Sequence, residues 1–384
     1  MEAKSYPNKN VEIMSVAFYK ICLHCSILLG FVLFYQTSNA QYNFNATTKW
    51  LEENTQDMGG RSTLLIFKND KIVYSNSVNE LSKKQKFVGN MIARKKGIDS
   101  KELSKDFSPD ARIAIASCSK WLSAALVMTF IDDGTLHLKD SVGKFLPILS
   151  SNRKGNITIA QCLSHTTGIN SGNIKDSRSS FIEAANMGEA VNSIAMLPMD
   201  SKPGESFRYS NIGLQIAAAV IEKISGKDFK TLFTERIAAK CSMANTDFGD
   251  KSVPLPAGGA FSTPKDYLQF LQMILNDGIY NGKKVLSKES VVEMQKNNTK
   301  GTEIMYSPAE AGNWNYGLGE WIIGDAALGV RSDVVTSPGL FGSFPWVDNK
   351  NKYCAVLFTY NLQSQGRSER YLSLKRIVDA AVTN

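Results

Sequence analysis

The sequence predicts an α+β protein (α/β in the broad sense), with an antiparallel sheet built from both chain ends, flanked by helices, and an inserted, mostly helical region. Three observations lead there. Residues 63–67 and 71–75 are β-prone runs separated by Lys68-Asn69-Asp70, a hairpin signature. Residues 343–347 and 353–360 flank the turn-rich 348–352 and give a second hairpin before a terminal helix around 367–382. Between these ends the apolar periodicity is helical, so the simplest layering places a helical region between strands of one sheet.

The chain has 384 residues, enough for one large or two intimately joined domains. Residues 1–40 read as a signal peptide. Lys20 precedes an apolar run from Ile21 to Tyr35, and Ser38-Asn39-Ala40 resembles a small-residue cleavage site. The run is shorter than the roughly 20 residues of a spanning helix, so no integral membrane segment is expected once it is removed. The expected location is exported, periplasmic or extracellular, with membrane anchoring if the leader is retained. A start at Met14 would make a more compact leader than one carrying Glu2 and Glu12. The mature domain is then 41–384, its sheet part about 57–116 and 315–384 and its helical part about 117–314.

Three inserted helices have readable ends. One runs over 118–131 and stops at Asp132-Asp133-Gly134. A second runs over 212–224 and stops at Gly226. The third has Ser262 and Thr263 as caps, Pro264 in the first helical position and Gly278 beyond its end. Residues 81–107 form a basic, partly helical insertion.

The formal charge is +8, and loss of the leader's three lysines and two glutamates lowers it to +7. Basic residues bunch at Lys83, Lys84, Lys86, Arg94, Lys95 and Lys96, a pattern that is usually a solvated face, and no nucleic-acid role is expected. Cys118, Cys162, Cys241 and Cys354 are widely spaced and form no CxxC pair, so they read as buried thiols, with no metal site and no cofactor implied.

Beyond the leader only His137 and His165 are available for a Ser/His/Asp triad, and neither is well placed: His137 follows a helix stop, and His165 sits at a polar turn as a structural residue. No Gly-x-Ser-x-Gly elbow occurs. Serine can instead be activated by a neutral lysine one helical turn away. Ser-x-x-Lys occurs at Ser117/Lys120, Ser141/Lys144, Ser151/Lys154 and Ser262/Lys265. Only Ser117 follows a small apolar run and opens an apolar helix, where a backbone N–H can stabilise an oxyanion and burial lowers the lysine pKa. Tyr209, in Tyr209-Ser210-Asn211 at a loop-to-helix junction, is a candidate proton shuttle, because a phenol beside a lysine ammonium is held closer to its ionised form.

With these motifs in place, the chain resembles the serine β-lactamase and penicillin-binding-protein superfamily, specifically its class C, esterase and D-peptidase branch, over roughly residues 57–380. The resemblance rests on Ser117-Cys-Ser-Lys120, Leu163-Ser-His-Thr-Thr-Gly168, Tyr209-Ser-Asn211, Ala257-Gly-Gly-Ala-Phe-Ser-Thr-Pro264 with Asp266, and Tyr316-Gly-Leu-Gly319, in that order. It implies the β-lactamase/transpeptidase-like fold. It also implies Ser117 as nucleophile, Lys120 and Tyr209 as the proton-transfer pair and Asn211 as a ligand-orienting amide.

The third family element departs from pattern. Where relatives carry Lys-Thr-Gly or His-x-Gly, this chain offers Ser337-Pro338-Gly339 followed by Leu340. Gly339 would admit close backbone approach to the substrate, and the Leu340 N–H would complete an oxyanion hole with that of Ser117. Ser337 replaces the substrate-binding cation, and Arg331 is near enough in sequence to supply one. The expected function is therefore an exported serine hydrolase acting on a small-molecule ester, amide or peptide through an acyl-enzyme on Ser117. A true β-lactamase or D-alanyl-D-alanine carboxypeptidase is the alternative, and a non-catalytic binding or sensor protein is the alternative of another class.

Overall fold

The computed structural model describes residues 42–96, 105–172, 183–361 and 365–383, together with Met1 and Asp99. Residues 43–384 form one compact unit. The expected leader, Met1 apart, lies outside the described residues, as does the stretch 100–104 of the basic insertion.

Seven strands form the sheet of this unit. β1 (Arg61–Lys68) and β2 (Lys71–Asn79) come from its beginning, whereas β3 (Asn315–Tyr316), β4 (Trp321–Ile323), β5 (Val334–Thr336), β6 (Phe344–Asp348) and β7 (Tyr353–Thr359) come from its end. Their order is β2-β1-β7-β6-β5-β4-β3, and every neighbouring pair is antiparallel. Both expected hairpins are present. In the first, Asn69 and Asp70 have φ of 51° and 58°, and a two-residue turn with both φ positive matches the twist of the strands it joins.

The longer helices are α1 (Asn45–Thr55), α2 (Lys83–Lys96), α3 (Ser119–Asp132), α4 (Ile212–Ser225), α5 (Pro264–Leu275) and α6 (Arg367–Thr383). Helix α1 was not foreseen, and α2 occupies the basic insertion. Thr263 caps α5, its hydroxyl accepting the Asp266 N–H at 3.0 Å, and Gly226 closes α4 with φ 70°, whereas Ser262 lies in a short strand and is not a cap.

Alternation along β1 divides the core. Leu64 and Ile66 join Trp50, Leu51, Leu374 and Val378 of α1 and α6, while Leu65 and Phe67 enter the larger cluster shared with α3, α4 and α5. With both faces covered, the strand reads as a continuous apolar run, and each fully buried Leu, Ile or Phe contributes roughly 1.5–3 kcal/mol. Lys375 pins α6 to the sheet, its Nζ lying 2.8 Å from Asp348 on β6 and 2.8 Å from Asp379. Helix α3 is buried on all sides from Ser119 to Phe130, the position of a central helix. Among the described residues no helix is long and apolar enough to cross a membrane.

Candidate active site

Ser117 stands in a single 3₁₀ turn, Ala116–Cys118, that runs directly into α3. Ala116 has φ 47°, a left-handed conformation that costs a residue with a Cβ about 1–3 kcal/mol and persists only when its surroundings enforce it. The 256–264 segment does this. Ala260 O accepts the Ile115 N–H at 3.0 Å, and the Ala260 N–H donates to Ser119 Oγ, which itself donates to Ala116 O at 2.6 Å. Ser123 Oγ donates to Pro256 O at 2.6 Å, and the Tyr267 hydroxyl donates to Cys118 O at 2.8 Å. The motif around Ala257 is thus the cradle of the serine turn.

One helical turn on, Lys120 is fully buried. Its Nζ lies 2.8 Å from Ala257 O, 3.3 Å from Ser117 Oγ and 3.4 Å from Asn211 Oδ1. Burial lowers this amine from 10.5 to about 7, so near neutral pH much of it is uncharged. An uncharged amine that donates to Ala257 O and Asn211 Oδ1 keeps its lone pair for the serine proton.

Tyr209 follows the short strand Ser206–Arg208 and is nearly fully buried. Its phenol interacts with the Ser117 side chain, and its ring lies 4.5 Å from the Lys120 Nζ. Here the structure corrects the sequence expectation. Burial raises the phenol pKa well above 10, outweighing the lowering effect of the Ser117 side chain. Lysine does not draw the phenol toward ionisation, because burial discharges the lysine as well. The neutral resting pair is an amine that can accept a proton and a phenol that can donate one.

His165 explains how Tyr209 is held. Its backbone has φ 60°, and its carbonyl accepts the Arg208 N–H at 2.9 Å. The buried ring sits 4.7 Å from that of Tyr209, and Nε2 is 3.3 Å from the Tyr316 hydroxyl. Burial, and then Lys120, push its pKa well below 6.5, so it packs as a neutral ring. His137 is on the surface beside Asp140. The other Ser-x-x-Lys pairs are dispersed: Lys144 bridges to Asp140, Lys154 Nζ donates to Ala195 O, and Ser262 Oγ lies 2.8 Å from Thr246 Oγ1.

The segment after β5 runs alongside the serine turn. A Cβ on Gly339 would lie 2.4 Å from Ile115 O, so only glycine permits this approach. Among the described residues the N–H groups of Ser117 and Leu340 donate to no protein acceptor, which leaves both for a ligand oxygen. Ser337 is corrected. Its hydroxyl is fully buried and donates to Ser117 O at 3.1 Å and Gly319 O at 3.4 Å, so it braces the serine's backbone instead of facing a substrate. Arg331 is not the replacement cation either, because its guanidinium is held by Gln295 at 2.7 Å and Asp277 at 3.1 Å.

Trp321 and Glu320 escaped the sequence reading, and Ala257 and Gly319 were legible there only as parts of motifs. The Trp321 ring lies 5.0 Å from that of Tyr209, tilted by 33°. The Ala257 carbonyl orients the amine, and Glu320 is fully buried with its carboxyl held well above 4.5 by burial. Gly319, at φ 85°, brings the Tyr316–Gly319 motif so close to α3 that a Cβ there would sit 2.3 Å from that of Ala124. Cys118, Cys162, Cys241 and Cys354 are buried free thiols, and among the described residues no cluster of His, Cys, Asp or Glu is placed to hold a metal.

A serine backed by a buried lysine and phenol, on a helix under an antiparallel sheet, defines a serine hydrolase. The chain belongs to the Beta-lactamase family, whose model matches residues 54–377. An uncharacterized protein of Mycobacterium tuberculosis is 25% identical over 292 residues, 62% of this chain and 72% of that protein. A candidate beta-lactamase from Bacteroides dorei DSM 17855 superimposes with a TM-score of 0.73 at 24% identity, over 89% of this chain and 100% of that one. A family VIII carboxylesterase gives 0.68 at 15%, over 87% and 97%. These two structural likenesses show the shared fold.

Proposed function

We propose that this chain is an exported hydrolase that cleaves small uncharged esters or amides through an acyl-enzyme on Ser117. The observation that carries the reading is the Lys120 amine, 3.3 Å from Ser117 Oγ and discharged by burial to a pKa of about 7.

In acylation Ser117 Oγ attacks the substrate carbonyl carbon and its proton passes to Lys120 Nζ. Negative charge collects on the carbonyl oxygen, where the N–H groups of Ser117 and Leu340 stabilise it. As the carbon–oxygen or carbon–nitrogen bond breaks, Tyr209 gives its proton to the leaving group and recovers one from the Lys120 ammonium. Water then attacks the acyl carbonyl, losing a proton to the same pair, and the Ser117 oxygen is reprotonated as it leaves. Asn211 orients Lys120 through Oδ1.

Support for uncharged substrates comes from what stands at 331–340. Ser337 and Arg331 are both engaged within the protein, so neither presents charge to a substrate carboxylate. The fold shared with a family VIII carboxylesterase supports the ester reading, and that shared with the Bacteroides dorei protein supports β-lactams as the second substrate class. The test is a panel of p-nitrophenyl esters, anilides and nitrocefin with wild type and Ser117→Ala. Turnover confined to wild type supports the proposal. Equal ester turnover by Ser117→Ala, with both proteins folded, removes it.

A further inference from the structure

Helix α2 contains no acidic residue and six basic ones, Lys83, Lys84, Lys86, Arg94, Lys95 and Lys96. It rests on the body at Gln85, whose side chain accepts the Ser82 N–H at 2.8 Å and the Gln56 amide at 3.0 Å and lies against Gly60. Phe87 and Met91, on the face away from Gln85, are 65% and 57% exposed, and Val88 at the flank of that face is 44% exposed. At 3.6 residues per turn, Lys83, Lys84, Arg94 and Lys95 interleave with these three over roughly 140° of arc.

We propose that this face of α2 docks peripherally on an anionic phospholipid bilayer. Phenyl and thioether groups gain by leaving water for the acyl boundary, while the lysine and arginine stems lie along it and keep their charges among the lipid phosphates. A soluble polyanion would engage the cations and leave Phe87 and Met91 wet.

A second apolar patch also favours a surface over a strand of polymer. Leu340 and Tyr360 are 47% and 45% exposed, and Phe341 stacks on Tyr360 at 5.3 Å. This patch adjoins the turn that carries α2, since the Tyr360 carbonyl lies 2.3 Å from the Cβ position of Gly59 and Gln85 lies against Gly60. Leu340 follows Gly339, which abuts the serine turn, so docking would bring one rim of the Ser117 site toward the bilayer.

The test is flotation of the full chain with phosphatidylcholine vesicles and with vesicles containing one quarter phosphatidylglycerol. The readout is the ratio of anionic to neutral binding, in which any contribution of residues 1–40 that is common to both compositions cancels. Wild type is expected to prefer anionic vesicles at least tenfold. Lys83→Gln/Lys84→Gln/Arg94→Gln/Lys95→Gln should bring the ratio close to one, since each cation near the surface is worth about fivefold. Phe87→Ser/Met91→Ser should weaken anionic-vesicle binding about tenfold or more. Both variants should retain wild-type circular dichroism and ester turnover in free solution, because neither touches the Ser117 cluster. A wild-type ratio of one overturns the proposal, as does a ratio unchanged in the charge variant. Undiminished anionic binding by the Phe87/Met91 variant would reveal a polyanion site and overturn it too.

Discussion

Replacing Lys120 with methionine keeps the length of the side chain and removes its amine. In the wild type burial moves that amine from 10.5 to about 7, a preference of about 5 kcal/mol for the neutral form. Between those pH values the unfolded chain holds a proton that the folded chain does not. Wild-type stability therefore rises with pH across this window, by about 1.4 kcal/mol per pH step, and is lost as pH falls toward 7. Lys120→Met lacks the slope. Urea unfolding of both proteins at pH 7.5, 8.5 and 9.5 should show wild type gaining about 2.7 kcal/mol on the variant over the series, since other titrating groups are common to both and cancel. Activity should follow the same titration. Wild-type kcat/KM on a neutral ester should rise through an acid limb near pH 7, and the variant should lose a factor of about 10² or more. A stability difference that does not change with pH, together with no acid limb near neutrality, would refute the assignment of Lys120 as the base.

Three further outcomes follow from the same geometry. Tyr209→Phe should lower kcat by about 10² or more with little change in unfolding midpoint, whereas His165→Gln should act mainly through stability; a stable His165→Gln as inactive as Ser117→Ala would make the histidine catalytic. Wild type should turn over p-nitrophenyl butyrate with a higher kcat/KM than nitrocefin, and Arg331→Ala should lower the unfolding midpoint without altering that preference. A changed preference would show that the arginine reaches substrate. Gly339→Ala must move the Ile115 carbonyl by more than half an ångström to make room, so kcat/KM should fall while the hydrophobic core stays intact, read by kinetics beside near-ultraviolet circular dichroism.

Much of this fold was legible because local chemistry and tertiary structure agree. The Asn69-Asp70 turn, the Thr263-Pro264 cap and the Gly226 stop each act within a few residues, and each signal survives into the structure. Helix α1 was missed because its apolar residues are few and its burial comes from α6, far along the chain. At the site, Ser117 and Lys120 were legible as neighbours one turn apart. Their electrostatics were not, since the Tyr209 pKa is decided by burial among His165, Tyr316 and Trp321, which sequence order scatters. The partners of Ser337 and Arg331 were out of reach of the sequence for a related reason. Spacing from Gly339 does not reveal that the serine hydroxyl turns to the Ser117 carbonyl, or that Asp277 and Gln295 hold the guanidinium.

Covalent capture tests the central claim most directly. The purified protein is treated with a fluorophosphonate, digested, and the modified residue identified by mass spectrometry, with Ser117→Ala treated in parallel. The account predicts one stoichiometric adduct on Ser117 in the wild type, none in Ser117→Ala, and slower labelling in Lys120→Met. An adduct on another residue, or labelling that persists in folded Ser117→Ala, would contradict it.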